Sequence, residues 1–173
     1  MILQELLCES KITDDVISLL KRATANSEYE NKIFIVGGFV RDKLLERDSK
    51  DIDLVVDGTP MSGLEAATFI AKKLGIYKEE SNPVIFPTYY TAKLSIPTKE
   101  GAFDVEFVAP RKEKYTPGSR KPSVERGTLQ DDIFRRDFTI NSLMMNLHSG
   151  KIVDLTGNGK CNKRYGCNFG RVG

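Results

Sequence analysis

One stretch, residues 33–56, restricts this chain more than any other. It opens with Ile33-Phe34-Ile35-Val36, a continuous apolar run rich in β-branched residues, the pattern of a buried strand. Gly37-Gly38 ends the run, and Phe39 to Leu45 then has helical spacing, with Val40, Leu44 and Leu45 on one side. A strand, a glycine turn and a helix in succession aim the unpaired N–H groups of the first helical turn at whatever lies over the glycines. Two glycines let a bulky anion approach the backbone without meeting a Cβ. Taken alone, such a pair is most often only a tight turn. A charged turn at 46–50 leads into Asp51-Ile52-Asp53-Leu54-Val55-Val56, a second strand. Successive strand side chains face opposite ways, so Asp51 and Asp53 share a face. Like charges side by side repel, and a cation between them removes the conflict.

The flanking sequence supplies scaffold. Leu3 to Lys21 reads as an amphipathic helix, with Leu6, Leu7, Val16, Ile17, Leu19 and Leu20 as its apolar positions. Thr13-Asp14-Asp15 favours caps over helix interiors and marks where that helix would divide in two. Gly63 to Leu74 reads as a helix covering a sheet face, stopped by Gly75. Val84-Ile85-Phe86 and Tyr89 to Ile96 form a strand broken at Pro87, and Phe103 to Ala109 returns antiparallel after a turn. The returning strand carries Asp104 and Glu106 on one face, with Phe103, Val105 and Phe107 on the other. Pro110 to Gly127 holds three prolines and many charges, which predicts a long loop. Leu129 to Arg136 is a short helix opened by Thr128, and Leu143 to Leu147 and Ile152 to Leu155 are the last strands. From Lys160 onward no helical or strand period remains. Residues 1–159 are therefore expected to form one domain, and 160–173 a tail that is disordered or foreign to the fold.

Composition sets outer bounds. With 173 residues, 40% apolar and 29% charged, the chain suits one globular domain with a real core. No apolar run reaches bilayer length, so no membrane partner is expected. Met1 to Lys21 has acids inside its apolar pattern and no small-residue cleavage site, which predicts a cytoplasmic protein. The net charge of +2 is too small to argue for nucleic acid by itself. Arg111, Lys112, Lys114, Arg120, Lys121 and Arg126, followed by Arg135-Arg136, form a local basic cluster suited to phosphates, although a charge run alone is usually a solvated loop. Cys8, Cys161 and Cys167 are an odd set that predicts no disulfide framework, and with His148 the sole histidine no zinc site is expected.

Together these parts suggest phosphate chemistry. Carboxylate oxygens are the ligands magnesium prefers, and it is usually held by a few acids plus substrate phosphates. Two such ions roughly 3.5–4 Å apart suit an in-line displacement at phosphorus. Gly37-Gly38-Phe39-Val40-Arg41-Asp42 followed by Asp51-Ile52-Asp53 closely resembles the first motif of the DNA polymerase β-like nucleotidyltransferase superfamily. Arg135-Arg136-Asp137-Phe138-Thr139-Ile140-Asn141 resembles the second motif of one branch, the class II CCA-adding tRNA nucleotidyltransferases and bacterial poly(A) polymerases. The resemblance covers about Ile33 to Gly157.

The resemblance implies an α/β fold of the polymerase β-like type, a mixed sheet of about five strands with helices packed on one face. It implies Mg²⁺ bound by Asp51, Asp53 and Glu106, with Asp104 as the alternative third acid on the same strand face. Gly37, Gly38 and Arg41 would hold the triphosphate, and Asp42 would brace the turn. Arg136, Asp137 and Asn141, supported by Arg135, would contact ribose and phosphates. The implied activity is transfer from CTP or ATP to the 3′ end of tRNA. Polyadenylation of RNA, or a head that binds nucleotide without elongating, stand as alternatives. Family members run on into a base-selecting motif and helical tRNA-binding domains. This chain departs from that pattern after Lys160, so a catalytic head without those regions is expected.

Overall fold

The computed structural model describes residues 2–47, 49–114, 117–118, 123–134, 142–154, 161–162 and 166–167. The chain begins with helix α1 (Ile2–Thr24), a single run of 23 residues. The division expected at Thr13-Asp14-Asp15 does not occur. Val16, Ile17, Leu20 and Ala23 are all buried and recur on one helical stripe, and that burial outweighs the weak propensity of the polar triplet. The Thr24 hydroxyl closes the helix by donating to the Leu20 carbonyl at 2.8 Å, and it stands 2.8 Å from His148 Nε2.

Strand β1 (Ile33–Val36), helix α2 (Gly38–Leu44) and strand β2 (Ile52–Val56) follow. Helix α3 (Ser62–Lys73) crosses the sheet to β3 (Val84–Phe86) and β4 (Thr91–Thr98), separated by a 3₁₀ turn at Pro87–Tyr89. Strand β5 (Gly101–Val108) returns antiparallel to β4 and lies parallel to β2. Next come β6 (Arg111–Lys114), β7 (Ser123–Arg126), α4 (Leu129–Phe134), β8 (Met144–Asn146) and β9 (Ile152–Val153). The described part of the tail contains two paired dipeptides, β10 (Cys161–Asn162) and β11 (Gly166–Cys167).

Among the described residues the main sheet is mixed, as expected, but has seven strands rather than about five, in the order β3-β4-β5-β2-β1-β8-β9. Its two faces follow strictly from strand alternation. Ile33, Ile35, Ile52, Leu54, Leu94, Ile96, Val105 and Phe107 point into the large core, which α1, α2 and α3 cover. Each such side chain contributes about 1.5–3 kcal/mol of burial. The opposite face carries a smaller cluster of Val36, Val55, Met144 and Ile133, the last from α4. Three helices thus share one face, and short α4 occupies part of the other.

The segment expected to be one long loop contains a ribbon. β6 and β7 pair antiparallel, with Arg111 opposite Arg126 and Lys112 opposite Glu125. Neither strand has an apolar face, so the period-two hydrophobic signal that marks a strand is missing from both. Backbone pairing and opposite charges hold it together, including Lys114 Nζ 3.8 Å from Glu125 Oε1.

Candidate active site

The carboxylates converge through strand register. Val36, the last residue of β1, lies opposite Asp53, so the Gly37-Gly38 turn leaves the sheet beside β2's acids. Asp53 is also opposite Glu106 on the parallel neighbour β5. Ile52 and Leu54 enter the large core, so Asp53 must project from the other face, and Glu106 likewise stands between core residues Val105 and Phe107. Asp51 precedes β2 by one residue and belongs to the Asp53 face by the same alternation. Asp51, Asp53 and Glu106 are all exposed.

The turn itself is built for close approach. Gly37 has φ +73° and ψ −141°, a conformation essentially reserved for glycine, and among the described residues no side chain caps α2. Arg41 Nε donates to Asp42 Oδ1 at 2.8 Å. A Cβ at Gly38 would lie 3.3 Å from the Arg41 Nη2 atom, so the guanidinium folds back over the glycine. The hydrogen bond from the guanidinium to the Asp42 carboxylate raises the Arg41 pKa above its ordinary value. The arrangement places a cation held by Asp42 beside the first turn of α2, which suits a phosphate.

Asp104 and Glu106 have different surroundings. Lys93 Nζ lies 2.6 Å from Asp104 Oδ2, and Ser95 Oγ donates to Asp104 Oδ1 at 2.5 Å. The Lys93 contact, with help from Ser95, holds the Asp104 carboxyl below the usual aspartate range. Lys93 and Ser95 did not stand out in the sequence as site residues. Their signal was available, since Thr91, Lys93 and Ser95 are the alternate positions of β4, opposite Val108, Glu106 and Asp104.

Among the described residues, no three His, Cys, Asp or Glu side chains are grouped so as to hold a metal ion. The register pair Asp53 and Glu106, with Asp51 nearby, offers oxygen donors only. That donor set fits a magnesium-type ion, which takes one or two carboxylates and completes its shell with water and substrate phosphates rather than an all-protein cage.

Arg135, Arg136, Asp137 and Asn141 lie outside the described residues. On either side of them, α4 ends at Phe134, and Ser142 Oγ donates to the Ile133 carbonyl at 3.3 Å. Met144 then lies opposite Val36, next to the glycine turn. A cleft of about 580 Å³ between Asp57-Gly58 and residues 126–131 opens beyond the far end of β2 and includes none of the carboxylates at its start.

A family model described as the Poly A polymerase head domain matches residues 33–164. The mitochondrial CCA tRNA nucleotidyltransferase of Saccharomyces cerevisiae is 37% identical over 169 residues, covering 87% of this chain and 30% of that protein. The A-adding tRNA nucleotidyltransferase of Aquifex aeolicus is 36% identical, covering 73% of this chain and 14% of that protein. The solved Thermotoga maritima CCA-adding enzyme complexed with tRNA is 29% identical at a TM-score of 0.59, covering 89% of this chain and 32% of that one. The chain thus spans about a third or less of the length of each, and it shares the polymerase β-like fold. Nucleotidyltransferases of this family generally use divalent metal ions. The match over most of its length, together with the register that joins the glycine turn to Asp53 and Glu106, assigns the chain to the poly A polymerase head domain family.

Proposed function

We propose that this chain carries the nucleotidyl-transfer site of an enzyme that extends the 3′ end of tRNA from CTP and ATP. The observation that carries the reading is the continuous register Val36–Asp53–Glu106, which brings the glycine turn and two carboxylates to one sheet end. In this reading Gly37, Gly38 and Arg41 hold the triphosphate, and Asp42 fixes the Arg41 fork. Asp51, Asp53 and Glu106 would hold Mg²⁺, which when bound would offset negative charge on the phosphates during displacement. Arg135, Arg136, Asp137 and Asn141 contact ribose and phosphates, since ribose hydroxyls suit a carboxylate acceptor and an amide while phosphates suit arginine. The oxygen of the terminal ribose hydroxyl gives up its proton to solvent and forms a bond to the α-phosphorus as the bond from that phosphorus to the bridging oxygen breaks, releasing pyrophosphate.

The test is incorporation of labelled CTP and ATP into tRNA lacking its 3′ end, with Mg²⁺. Addition of C, C and A in order supports the full reading, and addition of A alone or C alone narrows the substrate. A second reading is that this head takes up nucleotide without elongating RNA. Metal-dependent nucleotide binding without incorporation is its signature, and a chain that does neither overturns both. Asp53→Ala is expected to abolish addition while leaving the circular dichroism spectrum unchanged, because Asp53 is exposed. Retained turnover in that variant would remove Asp53 from the metal site.

A further inference from the structure

We propose that Asp104 is a positioning residue that holds the Lys93 ammonium away from Glu106 and so keeps Glu106 available to a divalent cation. The inference rests on the reading above, in which Asp53 and Glu106 are ligands. Lys93, Glu106 and Asp53 occupy one row across β4, β5 and β2, as consecutive register partners. Directly opposed residues on antiparallel strands bring their Cβ atoms within about 4.5–5.5 Å, and opposite charges so placed attract. The expected partner of Lys93 is therefore Glu106. The structure shows a different pairing. Lys93 Nζ reaches diagonally to Asp104 Oδ2 at 2.6 Å. The other oxygen of that carboxylate, Oδ1, accepts the Ser95 hydroxyl at 2.5 Å, and Ser95 is Asp104's own register partner. One oxygen aims the carboxylate and the other holds the lysine.

Among the described residues Glu106 has no ion-pair partner. Lysine has a flexible four-carbon stem and a compact, mobile charge, so it can reach either acid. An ammonium resting on Glu106 would occupy the position a metal needs and cancel part of the charge that attracts it. Asp104 prevents this without being a ligand itself. The same geometry accounts for two acids at alternate positions of one strand having different roles.

The experiment measures Mn²⁺ binding to the nucleotide-free full chain by electron paramagnetic resonance of the free ion. Four proteins are compared: the unaltered chain, Asp104→Asn, Lys93→Met and the double variant. Side chains 93 and 104 are both about half exposed, so folded variants are expected and circular dichroism checks this. Asp104→Asn should weaken Mn²⁺ binding by about fivefold, the effect of one unit charge on a divalent ion roughly 8 Å away in water. The double variant should return to the unaltered affinity. A crystal structure of Asp104→Asn should show Lys93 Nζ on the Glu106 carboxylate, a rearrangement that a mere change in field would not produce. The proposal is overturned if Asp104→Asn binds Mn²⁺ as well as the unaltered chain. It also fails if the double variant stays as weak as Asp104→Asn, which would make Asp104 a ligand, or if Lys93 stays away from Glu106 in the crystal. Mn²⁺ binding that is absent from the unaltered chain, or indifferent to Asp53→Asn, instead overturns the metal-site reading on which this inference stands.

Discussion

Gly37 shows how one residue's backbone can limit a site. Its φ of +73° with ψ −141° is accessible to glycine at little cost and to other residues only under strain. Gly37→Ala should lower stability by about 1–3 kcal/mol, read from the urea midpoint, because the turn between β1 and α2 has to be kept or distorted. Asp104 makes a pH-dependent contribution. Its pairing with Lys93 and Ser95 lowers its pKa in the folded chain, so the stabilisation is present above the unfolded value near about 4 and is lost as pH falls through the folded value. Both partners are about half exposed, which limits the gain to under about 1 kcal/mol. The stability difference between the unaltered chain and Asp104→Asn should therefore be measurable at pH 7 and vanish in strong acid. A difference that grew on acidification would show that the carboxylate is not stabilised in its charged form.

At the scale of elements, α4 is held by packing rather than by its own propensity. Six residues are too few for an autonomous helix. Thr128 and Asp131 cap it reciprocally, with Thr128 N donating to Asp131 Oδ2 at 2.8 Å and Asp131 N to Thr128 Oγ1 at 3.2 Å. Its anchor is Ile133, fully buried against Val36, Val55 and Met144. Ile133→Ala should cost about 2–5 kcal/mol, and hydrogen exchange should show protection lost first in α4. An unchanged urea midpoint would mean that α4 is held by something other than this contact. The β6–β7 ribbon is the contrasting case. It has no apolar face, so its form depends on backbone pairing and on the elements it joins.

For the whole molecule, one core joins α1, α2 and α3 to residues of β1, β2, β4, β5 and β8. A core shared by so many elements predicts a single cooperative transition in urea, with far-ultraviolet circular dichroism and tyrosine fluorescence coincident. Separate transitions would mean that the sheet's two sides fold as independent units. The parallel pairing of β2 with β5, across the α3 connection, is the contact that completes the carboxylate set.

Local pattern was sufficient for much of this. The strand–glycine–helix order at 33–45, the shared face of Asp51 and Asp53, the β4–β5 hairpin and the cover helix α3 all follow from side-chain periods of two or 3.6 and from residues that stop them. The GGxVRD and RRDFTIN motifs made the family recognisable, because each is a short run of contiguous residues. Other features depended on contacts between distant segments. The unbroken α1 needed the core that buries Val16 and Leu20. The polar ribbon needed backbone partners, since its side chains carry no period. The preference of Lys93 for Asp104 over Glu106 depended on register and side-chain reach across two strands. Sequence alone determined which face each strand residue would take, because alternation is a property of a single strand. Only the tertiary structure decided which acids, bases and turns would meet on that face, because register between strands is set by the packing of the whole core.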